Sequence, residues 1–373
     1  MSRSHRSLWL LFTLVALAGT LLAGCGSSAV SDPSPSPSPD YSAERPARLL
    51  LTPPAPPRAV DLPADDAPHN DLTEWWYYNG HLRAVDGREY GFEFVIFQTN
   101  RQDFPPTYSS HFAITDIGRG TFQFNQREQA GRQPRATHLI DLTVDGWALT
   151  GGDGHDRMHA DMNGYTLDLQ LQTDRPPALH NKTGYFEIMD DTGSYYYSRT
   201  RMNAGGTLTV DGSPVEVTGQ AWFDHQWGNF FPIGGWDWFA LQLDDGQDIM
   251  AWRSHDVRGT VVPNWGTLVA PDGSTRHIDQ TAFTLQSTGT WTSPHTGGVY
   301  PSGWIIDIPG EKLHLTATPV LKDQELQVPQ PYPVAYWEGG ITITGTRDGR
   351  PIAGQGYVEL TGYAQAPSPS PSR

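Results

Sequence analysis

An all-β chain folded as two tandem antiparallel β-barrels is the architecture the sequence predicts, on three observations. Hydrophobicity alternates with period two, most plainly in Tyr165-Thr166-Leu167-Asp168-Leu169-Gln170-Leu171-Gln172, where every odd position is apolar and every even one polar. That is the pattern of a strand with one wet face. Turn dipeptides punctuate such runs at Asp86-Gly87, Asp145-Gly146, Asp211-Gly212, Asp272-Gly273 and Asp348-Gly349, and no long helical segment interrupts them; each dipeptide suits the positive φ of a tight hairpin. Finally, Trp75-Trp76-Tyr77 ahead of Leu82 and Asp86-Gly87 is echoed by Trp236-Asp237-Trp238-Phe239 ahead of Leu243 and Asp245-Gly246, about 160 residues later, as in a duplicated unit. Length agrees, since 373 residues exceed the roughly 250–300 over which one core keeps growing. Composition agrees too: 13 Trp, 15 Tyr and 14 Phe with 39 Gly favour short aromatic strands, which must close or stack to hide their edges.

The N-terminus comes first. Arg3 and Arg6 precede an apolar run from Leu8 to Leu22, and Leu22-Ala23-Gly24 leads into Cys25, the only cysteine. The segment resembles a bacterial lipoprotein signal peptide, which implies cleavage after residue 24, acylation of Cys25 and a body exported and lipid-anchored to the bacterial membrane. Loss of the leader, with two arginines and no acid, takes the net charge from −16 to −18. Ser31 to Pro39 alternates Ser and Pro, and Pro53, Pro54, Pro56 and Pro57 follow, so residues 25–65 read as an extended spacer. Residues 66–222 are expected to form the first barrel, 223–363 the second, and 364–373, again Pro/Ser-rich, a disordered tail. No later run is apolar over the ~20 residues of a membrane span. With no second cysteine there is no disulfide, and the acidic balance argues against nucleic acid as a partner.

The longer motifs carry a family likeness. Glu74-Trp75-Trp76-Tyr77-x-x-Gly80-His81-Leu82, Tyr195-Tyr196-Tyr197-Ser198-Arg199-Thr200-Arg201, Ala221-Trp222-Phe223-Asp224-His225-Gln226-Trp227-Gly228, Tyr336-Trp337-Glu338-Gly339 and Gly356-Tyr357-Val358-Glu359-Leu360-Thr361-Gly362-Tyr363 span almost the whole folded region. Together they resemble the AttH and carotenoid 1,2-hydratase (CrtC) family of predicted secreted hydrolases. The resemblance implies two lipocalin-like barrels. It also implies acid/base residues around the His-x-Trp of an Asp-His-x-Trp-Gly segment, here His225 and Trp227. A Tyr-x-Asp pair of the hydratases falls at Trp252-Arg253-Ser254, where no carboxylate stands.

The residues argue in the same direction on chemical grounds. Hydrating an unactivated alkene takes a carboxylic acid kept protonated by an apolar site, an aromatic wall facing the carbocation and a base for water; indole faces contribute up to ~2 kcal/mol to a desolvated cation. Three clusters offer these types: Glu74 beside Trp75 and Trp76, Asp224 and His225 beside Trp222 and Trp227, and Asp237 between Trp236 and Trp238. Asp224, His225 and Glu74 are the candidate catalytic residues. Trp75, Trp76, Tyr77, His81, Trp227, Trp236, Asp237 and Trp238 are the candidate ligand-binding ones. In a strand, Trp75 and Tyr77 point one way and Glu74, Trp76 and Tyr78 the other, so part of the run belongs to barrel packing. Glu74 is equally readable as a structural hydrogen-bonding group, the Asp224/His225 pair as a strand-end tie, and His81 and His111 as interior or rim residues.

Other chemistry is set aside. His155 and His159, with Asp153, Asp156 and Asp161 nearby, share a face only on a helix, and their glycines point to a loop, so no metal site is expected. No Gly-x-Ser-x-Gly elbow, cysteine nucleophile, phosphate-binding Gly-x-x-x-x-Gly-Lys loop, dinucleotide fingerprint or His-Glu-x-x-His is present. No cofactor is called for. The expected function is the binding of a hydrophobic small molecule, a lipid or isoprenoid, in a barrel or inter-barrel cleft; the alternative is a cofactor-free hydratase, isomerase or hydrolase acting on such a molecule. Asp224, His225, Trp227 and Glu74 are expected to line one cavity at the entry of the second barrel.

Overall fold

The computed structural model describes residues 57–364, apart from 102–103, 134–135, 137, 174, 190–191, 231–233, 256–263 and 329–333. The leader, Cys25, most of the spacer and all but the first residue of the C-terminal tail lie outside the described residues.

Chain order begins with β1 (Thr73–Ala84), β2 (Glu89–Thr99), β3 (Thr107–Asp116), β4 (Thr121–Ala130), β5 (Ile140–Val144), β6 (Trp147–Gly152), β7 (His155–Met162) and β8 (Tyr165–Gln172). The short β9 (Ala178–Leu179) and β10 (Tyr185–Met189) precede the long β11 (Thr192–Val210) and β12 (Ser213–Gly228). A second series follows: β13 (Gly235–Leu243), β14 (Asp248–His255), β15 (Trp265–Val269), β16 (Thr275–Asp279), β17 (Thr284–Ser287), β18 (Thr290–Thr292), β19 (Val299–Pro301), β20 (Trp304–Ile308), β21 (Leu313–Pro319), β22 (Glu325–Val328), β23 (Val334–Arg347) and β24 (Arg350–Thr361). Among the described residues there is no α-helix, only 3-10 turns at Ala64–Asp66 and Pro309–Glu311.

The two series share one plan. In the first sheet the order is β4-β3-β2-β1-β12-β11-β8-β7-β6-β5, and in the second β16-β15-β14-β13-β24-β23-β21-β20-β17. Each runs as an up-and-down meander from its first strand and returns its last strand to pair with that first one, β12 on β1 and β24 on β13. Edges β4 and β5 meet, so the first sheet curls into a barrel, as the need to hide strand edges requires. The duplication is therefore one of topology. The tryptophan echo, however, is displaced by two residues: hairpin bonds Ala84 N to Arg88 O and Leu243 N to Gln247 O place Leu243 opposite Ala84 in the repeat, so Trp236 corresponds to Tyr77 rather than Trp75.

The turns follow from their residues. Asp145-Gly146, Asp211-Gly212 and Asp348-Gly349 have positive φ at both positions, the two-residue turn whose twist matches its strands. Inward alternation fills both barrels. Trp76, Tyr78, Phe92, Phe94, Phe112 and Trp147 pack the first and Phe239, Trp304, Trp337, Ile306, Leu315 and Tyr300 the second. A third cluster, with Tyr77, Tyr196, Trp222, Trp238, Met250 and Tyr357, fills the seam where the barrels meet.

Two expected boundaries move. The division at 222/223 falls inside β12, which runs unbroken to Gly228 and belongs to the first sheet; the crossover lies between Gly228 and Gly235. At the other end, the last residues of the stretch read as spacer, from Arg58 to Asp65, already belong to the folded body. Val60 is buried and bonds Thr183 O through its amide, and the 3-10 turn sinks Asp65 and Asp66 into the mouth of the first barrel. Arg199, 3% exposed, donates to both Asp66 oxygens at 2.8 and 3.0 Å. The segment thus forms a strap held by a buried ion pair. Because removing one member strands the other's charge, Asp66→Ala is expected to cost about 3–5 kcal/mol of stability, read from the midpoint of urea unfolding; an unchanged midpoint would refute the strap's role.

Candidate functional site

The predicted site residues fall on both faces of one ladder. β1 and β12 pair antiparallel with Glu74 opposite Trp227, Trp76 opposite His225, Tyr77 opposite Asp224 and Trp75 opposite Gln226. Since successive side chains alternate, Glu74, Trp76, His225 and Trp227 face the interior of the first barrel, while Trp75, Tyr77 and Asp224 face the seam.

At the barrel mouth, Glu74 Oε1 lies 2.7 Å from His69 Nδ1 and 2.8 Å from His225 Nε2, while Oε2 accepts from the His69 amide at 2.8 Å and Gln98 Nε2 at 3.0 Å. His69 stacks on Trp227 with centroids 4.1 Å apart, and His225 on Trp76 at 4.8 Å. Burial alone would raise Glu74, but hydrogen bonds and charge from His225 and His69 outweigh it and hold the carboxyl below its ordinary range. Burial lowers His225; for His69 the hydrogen bond and charge of Glu74, with Asp65, overcome burial and raise it.

The seam has a different character. Asp224 accepts from Tyr196 Oη at 2.5 Å, from Trp222 Nε1 at 2.6 Å and from Ser198 Oγ, and burial still pushes it up to about 7. Glu338 accepts from Tyr77 Oη at 2.6 Å and faces Glu359 across β23 and β24. The buried Glu93 carboxyl approaches the Tyr336 hydroxyl without closing a well-aligned hydrogen bond. Burial first, then neighbouring carboxylates, raises Glu93 and Glu338 well above the usual range. Glu359 alone of this set is partly exposed; Trp236 Nε1 donates to its Oε2 at 2.8 Å, and burial, with the Asp224 charge adding, pushes it up to about 7. The partly buried rings of Trp75, Phe97, Phe186, Trp236, Trp252 and Trp265 pack on the seam cluster. The strand registers set them toward the end where β1 and β13 begin.

Asp224 and His225 therefore do not line one cavity, and neither stands at the entry of the second barrel: neighbours on a strand cannot share a face. Asp237 likewise parts from Trp236 and Trp238. It turns into the second barrel, where Arg253 Nε donates to it at 3.0 Å and Tyr363 Oη at 2.7 Å, so it belongs to an internal ion pair and not to an aromatic wall. His81 and His111 lie in the seam, with His81 Nε2 donating to Gly356 O at 2.9 Å and His111 Nδ1 2.6 Å from Tyr336 Oη. His155 and His159 sit on strand β7 rather than in a loop, with His159 2.6 Å from Asp168. A surface depression of about 320 Å³ lies beside them, lined by Arg157, His159, Asp168 and Thr207 among others; it touches neither the mouth nor the seam. Glu359, Glu338, Glu93 and His69 were not singled out from the sequence. An acid at an otherwise apolar strand position was a usable signal for the glutamates; His69, in a polar segment before β1, offered none.

Comparison with known proteins then places the chain. A family model described as AttH-like matches residues 53–363. The chain belongs to the AttH-like family. A crystal structure of a protein provisionally named AttH from Nitrosomonas europaea is 31% identical, with a TM-score of 0.76, covering 84% of this chain and all of that one. The crystal structure of kievitone hydratase from Nectria haematococca is 20% identical, with a TM-score of 0.64, covering 81% of this chain and 93% of the other, and shows a shared fold. No curated protein matches the sequence. For an AttH-like protein the two lipocalin-like barrels are thus the family architecture.

The seam acids fix a pH dependence. Asp224 and Glu359, held near 7 when folded and near about 4 when unfolded, keep protons between those values that the unfolded chain has lost. Stability from these groups therefore falls as pH rises from about 4 to 7 and is flat above. Thermal melts from pH 5 to 8 should show the decline, and Glu359→Gln should make it shallower; an equal slope in the variant would contradict the assignment.

Proposed function

We propose that the chain binds a hydrophobic, alkene-bearing small molecule at the rim of the inter-barrel seam and hydrates it by acid catalysis, with Glu359 as the proton donor. One observation carries the reading: Glu359 combines partial exposure, a carboxyl pushed up to about 7 and an indole donor from one of the partly buried aromatic rings of the seam. A general acid works best with its pKa near the operating pH, and burial pushes this acid up toward that range. Both barrel interiors and the centre of the seam are packed with side chains, so we place the ligand at the partly buried rim of the seam.

The step balances without a cofactor. The Glu359 proton passes to one alkene carbon, water adds to the cation at the other, and the surplus water proton returns to the vacated carboxylate. Indole faces of Trp75 and Trp236 would stabilise the cation by up to ~2 kcal/mol when dry. Where the hydratase resemblance lacks a carboxylate at Trp252-Arg253-Ser254, Glu359 supplies one. A hydratase on the same fold, kievitone hydratase, supports the reaction class by analogy. The aromatic rim equally suits simple carriage of a lipid or isoprenoid, and turnover separates the two. The reading also includes a Cys25 lipid that keeps the protein at the bacterial membrane.

Ligands co-purifying with the mature protein, identified by mass spectrometry, supply the substrate class, and incorporation of labelled water oxygen reports hydration. Glu359→Gln should lower turnover by about 10²-fold or more with ligand affinity nearly unchanged, as for a group acting in the transition state. Equal turnover in wild type and variant would overturn the role of Glu359, and tight binding without turnover in the wild type would leave the carrier. For the anchor, Cys25→Ser with a processed N-terminus should move the protein out of membrane fractions, since firm attachment takes more than one chain; absence of acyl mass on the processed wild type would refute it.

A further inference from the structure

We propose that His69, Glu74 and His225 form a divalent transition-metal site at the mouth of the first barrel, best suited to zinc. Their ligand atoms, Nδ1, a carboxylate oxygen and Nε2, all lie within 4.8 Å of one another. Each comes from a different element: the N-terminal strap, β1 and β12. Two imidazoles and a carboxylate with a position left for water is a donor set zinc favours.

Counting hydrogens points to a cation. A neutral imidazole has one N–H and one lone pair. The near nitrogens of both histidines approach the same acceptor, Glu74 Oε1, at 2.7 and 2.8 Å. The far nitrogens meet acceptors as well. His225 Nδ1 lies 3.3 Å from Tyr197 Oη, whose own proton is given to Asp66 and which already receives Arg199 Nη1 at 3.2 Å. His69 Nε2 lies 3.4 Å from Asp65 Oδ1. Four acceptor positions thus face two protons. A metal between the near nitrogens and Oε1 resolves the conflict, because both lone pairs turn to the ion and both far N–H groups donate outward. That outer arrangement, an acceptor behind each ligating histidine, is the one that orients and strengthens such ligands.

The packing holds the site ready. Trp227 and Trp76 fix the two rings by stacking, and Gln98 with the His69 amide anchors Oε2. Tetrahedral zinc keeps its ligand atoms about 3.3 Å apart, so binding lengthens both Glu74 Oε1 contacts by about half an ångström and brings the two imidazole nitrogens, now within 4.8 Å of each other, to the same spacing. His69, with 17% of its side chain exposed, is the entry side. The ion would tie the strap to the barrel.

The test uses the full chain, stripped with a chelator and titrated with Zn²⁺ alone by calorimetry, then with Co²⁺ to read the ligand field. One equivalent should bind, raise the melting temperature and give a cobalt spectrum of low coordination number. Glu74→Gln, which keeps the side chain's size, should weaken binding by about 100-fold or more, and Tyr197→Phe by about 10-fold. His69→Ala, in the strap and outside both sheets, guards against a variant that fails to fold. Absence of Zn²⁺ binding by the wild type, or equal affinity in folded His69→Ala, would overturn the site and leave the cluster as a proton-sharing network. Neither outcome bears on the seam reading, since Glu359 lies away from this face.

Discussion

Everything functional in this molecule depends on the alternation of side chains along the β1–β12 ladder. The two strands are the first and last of their sheet and pair over twelve residues, and they form the wall that the first barrel shares with the seam. A single register decides that Glu74, Trp76, His225 and Trp227 look inward and that Trp75, Tyr77 and Asp224 look toward the second barrel. A slip of one residue would exchange the two sets. It would bury Asp224 in the first core and turn the barrel's packing toward the seam.

The two sides of that wall then diverge through the placement of cations. At the mouth two buried aspartates have arginines: Asp65 pairs with Arg58 and Asp66 with Arg199. In the seam the donors of Asp224 and Glu338 are hydroxyl and indole groups, neutral ones. A carboxylate with a guanidinium stays charged in a dry place; one with neutral donors only does not, because hydrogen bonds alone offset part of the desolvation cost. The same residue type is thereby a fixed anion at one site and a proton store at the other, a separation that acid/base chemistry uses.

Local chemistry was legible in the sequence wherever it follows from neighbours. The alternation of Tyr165 to Gln172 became β8 with its odd residues buried, and three of the Asp-Gly pairs, Asp145-Gly146, Asp211-Gly212 and Asp348-Gly349, became two-residue hairpins because few other dipeptides accept two positive φ values. Glu74 and His225, 151 residues apart, do meet, as the shared face of β1 and β12 requires. What stayed hidden was set by pairing across the fold. Asp224 looked like a partner of His225 because they are adjacent in sequence, yet adjacency in a strand is what separates them. Glu338 and Glu359 face one another only through the β23–β24 register, and His69 reaches Glu74 only because the strap turns back at Ala64–Asp66. Arg253, next to the Ser254 position where a carboxylate was sought, pairs with Asp237 for the same reason.

Duplication explains why the seam rather than a barrel holds the accessible acid. Each half repeats one topology and fills its own interior with aromatic and aliphatic side chains, so each has a complete core. The surfaces that meet between them carry no such duty, and polar groups there need only find partners across the contact. Several do: His81 reaches Gly356 O, Trp238 Nε1 donates to Tyr196 at 3.0 Å, and Gln242 donates to Thr200 O at 2.7 Å. Equivalent positions have accordingly been free to change. Tyr78, which donates to Asp156 inside the first barrel, corresponds to Asp237, which pairs with Arg253 inside the second. On the opposite face Tyr77 corresponds to Trp236, the residue that holds Glu359. An even displacement of the tryptophan echo preserves which face each residue takes. The aromatic wall of the second half therefore still meets that of the first, and the partly exposed acid lies at the rim of that contact.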